Sequence, residues 1–237
     1  MTSEALRVDT RRHRVRMPAV WHDSLFRNGG LLTLSSLLSS LIGFGYWTIA
    51  AHSYRPEIMG RNSAAISAMT FIAGLAELNL MSALVRFVPV AGTSTSSLVK
   101  RVYAVSLTAA MLLSAAFLLV VDRIAPSLGF LTSNPLMAVG FVAAAMAWTI
   151  FVLQDSTLTA LRRTWLVPVE NVAFALTKLT LVVGLATVVH TTGIFLSWAI
   201  ALFVSVVPVN AFLFGRAIPA HQRAGGAYRG ALGALRF

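Results

Sequence analysis

Predominantly apolar runs, each about as long as a bilayer is thick, alternate along this chain with short polar breaks. A membrane-crossing helix needs ~20 such residues. Runs of that length fall roughly at 30–51, 63–85, 102–121, 136–159, 165–189 and 194–215. The breaks carry turn residues: Arg55-Pro56, Pro89 to Gly92, Pro126 to Pro135, Arg162-Arg163, and Thr191 to Gly193. This pattern predicts an all-α, polytopic membrane protein with six transmembrane helices. A basic tail (1–28) precedes the membrane domain (29–215), and a second basic tail (216–237) follows it. In the first run, Ser36, Ser39, Ser40 and Gly43 form a small-residue stripe of the kind that lets helices approach closely in lipid. Pro208 predicts a kink in the last.

Composition sharpens the picture. Of the residues, 57% are hydrophobic and 11% charged, against about 25% charged in soluble domains. The absence of cysteine excludes disulfides, thiolate metal sites and cysteine nucleophiles. A net charge of +11 could suggest nucleic acid, but its distribution fits arginine-rich loops, so no nucleic-acid partner is expected. Six Lys/Arg lie in the N-terminal tail, three across 86–101, two at Arg162 and Arg163, and four in the C-terminal tail. Only Arg55, Arg61 and Arg123 lie on the opposite side. The positive-inside rule therefore places both termini in the cytoplasm and the chain in the cytoplasmic membrane. The N-terminal tail is too long for the charged region of a secretory signal, so the first run is read as a retained signal anchor.

Charges inside the runs are the candidate chemistry. At 1.5 Å per residue, Glu170 lies roughly 8 Å from the cytoplasmic edge, Asp155 roughly 10 Å, Glu77 roughly 13 Å and Lys178 roughly 20 Å. Asn171 and Lys178 share one helix face with Phe174 and Ala175. Ser63, Ser67, Thr70, Gly74 and Glu77 recur at three- and four-residue steps as a small, polar stripe. Arg86 lines up instead with Asn79 and Ser82, and Trp148 shares a face with Asp155. Charges near an edge can snorkel or pair between helices. A lysine stem covers only about 6 Å, so Lys178 needs a carboxylate such as Glu77, a hydrated cavity or an anionic ligand. The candidate transport residues are Lys178, Asn171, Glu77, Arg86, Asp155 and Glu170. His13, His22, His52, His190 and His221 are scattered without metal-ligand spacing. No phosphate loop, dinucleotide fingerprint or Asp-x-Asp pair is present, so neither enzyme activity, metal nor cofactor is expected.

The stretch "GFGYWTIAAHSYRPEIMGRNSAAISAMTFIAGLAELNLMSALVRFVP" resembles the N-terminal region of bacterial polysaccharide-biosynthesis flippases. These belong to the multidrug/oligosaccharidyl-lipid/polysaccharide exporter superfamily. The likeness lies in the small and aromatic end of the first helix, the Tyr54-x-Pro56-Glu57-x-x-Gly60 loop, and the closing Leu84-Val85-Arg86-Phe87. "VLQDSTLTALRRTWLVPVENVAFALTKL" is similar to the family's fourth-to-fifth helix connection. The resemblance spans roughly 25–215 and implies one lobe of a two-lobed fold of twelve or fourteen helices. It implies movement of lipid-linked oligosaccharide or polysaccharide precursors across the membrane, with membrane lipid and a polyprenyl-linked glycan as partners. Stopping after six helices, the chain is expected to be a truncated half or to pair with a second lobe or a second copy of itself. Lys178 is then expected to meet the glycan's diphosphate in a hydrated cavity between lobes, or to balance Glu77. A drug/cation antiporter of the same superfamily and a non-transporting scaffold for envelope glycan enzymes are the alternatives.

Reporter fusions test the expected topology. Fusions after residues 58, 128 and 192 should report the outer side, and those after 95, 163 and 225 the inner. A cytoplasmic signal at 128 would overturn this arrangement.

Overall fold

The structure, a computed structural model, describes residues 37–225. The N-terminal tail, the start of the first run and residues 226–237 lie outside the described residues. Helix α1 covers 37–53, followed by α2 (Pro56–Ala76), α3 (Leu80–Ala91), α4 (Thr95–Ile124), α5 (Pro135–Ala160), α6 (Leu166–Ala186) and α7 (Gly193–Phe212). A π-turn (Leu213–Ala217) carries α7 into a further helical stretch described as far as Gly225. The fold is all-α, with several long apolar helices that fit a polytopic membrane protein. Among the described residues, Leu80–Ile124, Pro135–Ala160, Leu166–Ala186 and Gly193–Gly225 are each long and apolar enough to cross a membrane.

Local chemistry sets the helix boundaries. Pro56 and Pro135 start α2 and α5, where a missing N–H costs nothing. The Asn134 side chain caps α5 by accepting from the Leu136 amide at 2.8 Å. At the far end of α5, Arg162 turns left-handed (φ 59°). Its amide and that of Arg163 bond back to Thr159 and Leu158, closing the helix with a Schellman pattern. Gly92 (φ 53°, ψ −121°) occupies a conformation open mainly to glycine, and α3 and α4 pack on one another beyond it.

Helix α5 is the hub, touching α2, α3, α4, α6 and α7. Its apolar residues point in all directions, as a central helix requires. Phe141, Ala144, Phe151 and Leu153 are buried. Tyr46 and Ala50 bring α1 into the same core. Outward-facing Leu112, Leu119, Val139 and Val207 supply the apolar exterior that lipid solvates.

The second run differs from expectation. Instead of one helix over 63–85, the chain breaks at Glu77–Asn79, with Leu78 and Asn79 both left-handed (φ 48° and 59°). A leucine in this region is strained by about 1–2 kcal/mol. Glycine, which takes positive φ freely, is absent there, which is why turn-residue counting passed over the break. Pro89, expected in a link, lies inside α3. Pro208 lies inside α7 as expected, and a helical irregularity follows it at the π-turn.

One polar side chain pins the bundle. Asn62, 1% exposed, donates to the Ile58 and Thr191 carbonyls at 2.8 and 2.9 Å and accepts from the Phe195 amide at 3.0 Å. It thereby serves as an N-terminal cap for α7 supplied from another helix. Asn62→Ala should destabilise the protein by about 1–3 kcal/mol, because buried backbone groups lose partners. Thermal unfolding in lipid nanodiscs reads this as a lowered Tm; an unchanged Tm would show that the three bonds contribute nothing.

Candidate functional site

The charged and polar groups inside the helices fall into three places rather than one. The first surrounds Lys178, which is 9% exposed. Its ammonium stands 4.2 Å from the Trp198 ring centroid, 5.0 Å from Phe174 and 5.3 Å from Tyr46. The rings come from α7, α6 itself and α1. The Tyr46 hydroxyl contacts Ser197 Oγ at 2.8 Å and donates to the Ile194 carbonyl at 3.2 Å, so the hydroxyl end of the ring is fixed to α7. Trp148 stacks on Trp198 at 5.6 Å and backs the cage from α5. Among the described residues no carboxylate pairs with Lys178.

Magnitudes explain why a lysine is tolerated here. A central lysine costs about 2.5–3.5 kcal/mol on insertion scales. A desolvated cation–π contact contributes up to about 2 kcal/mol, and all three centroids lie within the effective ~6 Å. Two good ring faces are therefore enough to offset the cost. The expected pairing with Glu77 does not form. Glu77 is half-buried at the α2–α3 break, roughly 22 Å along from Asn62, whereas Lys178 lies roughly 12 Å from the α6–α7 turn that Asn62 grips.

The second place is a buried polar cluster nearer the α5–α6 turn. Glu170, 3% exposed, accepts from Gln154 Nε2, and Gln154 Oε1 accepts from Asn210 Nδ2. Asp155 stands close enough to Glu170 to repel it, and Asn171 stands beside Asp155. Tyr103 on α4 lies near Thr157 and within electrostatic range of both carboxylates. Glu170 Oε2, Asp155 Oδ1, Asn210 Oδ1 and the Tyr103 hydroxyl are buried without a hydrogen-bond partner. The sequence pointed to Glu170, Asp155 and Asn171, while Gln154, Asn210 and Tyr103 were missed as members. Each is a single polar residue in an apolar run, and only the packing of α4, α5 and α7 joins them.

The third place is the outer face of the broken helix. Ser67 and Gly74 are exposed, while Ser63, Thr70 and Glu77 are partly so. The opposite face of α2, with Ala65, Ile66, Met69 and Ile72, is the buried one. On α3, Asn79, Ser82 and Arg86 are all exposed, and Ser82 Oγ donates to Asn79 Oδ1 at 2.9 Å. Arg86 therefore stands apart from Lys178 and from the buried carboxylates. It lies over the adjacent Phe87 ring, 5.6 Å from its centroid.

No family model matches the chain, nor does any curated protein or solved structure. The site is therefore argued from its own geometry.

A double-mutant cycle tests the cage. Trp198→Ala should cost more stability beside Lys178 than in a Lys178→Met background, with a coupling of about 0.5–2 kcal/mol. Additive losses in thermal or denaturant unfolding would show that the rings pack near the ammonium without stabilising it.

Proposed function

We propose that this chain is one six-helix lobe of a membrane transporter, a flippase half that moves lipid-linked oligosaccharide or polysaccharide precursors across the cytoplasmic membrane. The observation that carries the transport reading is the exposed polar row on a helix that is broken mid-way. Charged and polar groups facing hydrocarbon are costly, and irregular backbone at membrane depth is tolerated where protein or water covers it. A row made of Ser67, Thr70, Gly74 and Glu77 beside a strained break fits a surface that lines a hydrated path. Discontinuous helices at substrate sites are a recurrent feature of transporters.

The covering surface is a second lobe or a second copy of the chain. The flippase-like stretches noted in the sequence supply the substrate class, and both chain termini face the cytoplasm in this reading. Arg86, exposed on α3, takes the role of diphosphate ligand, because a guanidinium matches phosphate oxygens with paired donors. Lys178, shut behind three rings, holds α1 to α6 and α7.

The cysteine-free sequence makes the decisive test simple. Single cysteines at Ser67 and Thr70 should react with a membrane-impermeant, water-soluble thiol reagent, whereas cysteines at Leu112 and Val105, exposed on α4, should not. Equal inertness at all four positions would sink the transport reading. In an export assay with the assembled transporter, Arg86→Gln should lower glycan export at least tenfold and Arg86→Lys less. Unimpaired export by Arg86→Gln would remove the arginine from the substrate's path.

A further inference from the structure

Two irregularities of the backbone mark off one part of the bundle from the rest. The first is the break at Leu78 and Asn79, where α2 gives way to α3. The second is the π-turn at Leu213–Ala217, where α7 gives way to the stretch that follows it. Beyond both lies a buried apolar cluster that draws on Leu84 and Val88 of α3, Val99 and Val102 of α4, Leu153 of α5, and Ile218. The larger core, with Tyr46, Ile66, Phe174 and Phe195, is a different cluster. Helices α4 and α5 run through both, whereas the buried residues of α3 belong to the smaller one alone.

The stretch beyond the π-turn reaches across to the turn that ends α3. Phe214 meets the Tyr103 ring edge-on at 6.0 Å, and Ile218 is 1% exposed. One helical turn further on, Gln222 Nε2 donates to the carbonyl of Thr93, between α3 and α4. A Cβ added at Gly225 would stand 3.0 Å from Gly92 Cα, so the two backbones touch with no room for a side chain. Gly92 is tied to α4 as well, its carbonyl accepting from Thr95 Oγ1 at 2.8 Å.

We propose that α3 and the stretch from Leu213 to Gly225 are one coupled unit, in which the contact at Gln222 and Gly225 is a latch that sets where α3 stands. Hinges are a few residues at the ends of elements, and π-turns recur where helices must give way. Here both ends of the unit carry such a position. A left-handed leucine persists only where surrounding contacts impose it, and the latch supplies one of those contacts at the opposite end of α3. With the latch open, α3 pivots about Leu78–Asn79 and exchanges strain for freedom. Arg86 lies roughly 9 Å along α3 from Gly92, so the latch governs how that arginine is presented. This last consequence rests on the transport reading; the coupling itself does not.

Hydrogen–deuterium exchange of the full chain in lipid nanodiscs tests the coupling. Gln222→Ala and Gly225→Val should each speed exchange across α3 and residues 218–224 together, by about 2- to 10-fold, the loss expected for one hydrogen bond. Exchange in α6 should stay at its wild-type rate. Arg223→Gln, at an exposed position of the same stretch whose side chain bonds back to the Pro219 carbonyl at 3.3 Å, should alter neither α3 nor α6. Unchanged α3 exchange in either latch variant overturns the proposal, and so does uniform acceleration that includes α6. Should Gly225→Val fail to fold, Gln222→Ala decides by the same criteria. The measurement requires no export, so a negative result leaves the transport reading untouched.

Discussion

Helices in lipid gain little from burying apolar surface against one another, so what holds this bundle in one arrangement is the demand of its few polar groups for partners. The ammonium of Lys178 expresses that demand most strongly. It reaches ring faces on α1 and α7 as well as its own helix, and the α1 ring is anchored in turn to the first turn of α7. Moving α1 away would uncover the lysine and strand the Tyr46 hydroxyl together. Asn62 acts in the same way from α2, joining it to the α6–α7 turn with donors and acceptor all used. Both devices sit toward one end of the bundle.

The other half is built differently. The buried cluster is half-satisfied: a relay of amides leads to Glu170, while oxygens on four helices lack partners. In a low dielectric a complete polar network is rigid, and an incomplete one is expensive.

The apolar runs and their Pro- and Gly-marked ends were legible because helix length and lipid thickness act on each segment alone. The boundaries of α5, α6 and α7 follow from Pro135, from the Arg162 region and from Gly193 for that reason. The faces of single helices were legible too. The row from Ser63 to Glu77 emerges on the outer side of α2, and Phe174, Ala175 and Lys178 emerge together on the buried side of α6. What could not be read is anything that requires two helices at once. Depth counting grouped Lys178 with three carboxylates, because it measures position along the axis and is blind to rotation about it. Tyr46 and Trp198 looked like ordinary membrane aromatics until α1 and α7 were placed beside α6.

The break at Glu77–Asn79 was hidden for another reason. Glycine and proline mark turns because their backbones adopt the geometry at little cost, yet here Leu78 holds a left-handed conformation against its preference. Strain of this kind survives only where surrounding contacts impose it. The buried faces of α2 and α3 both pack on α4 and α5, and each is apolar in its own register, with Ile72 and Ala76 before the break and Leu84 and Val88 after it. An unbroken helix would carry a single register through residue 91. The break lets α3 reset its apolar face while turning Asn79, Ser82 and Arg86 outward. The same local strain that seats α3 in the core therefore also turns its polar residues outward beside the row on α2, coupling the packing of the second run to the surface on which transport is proposed.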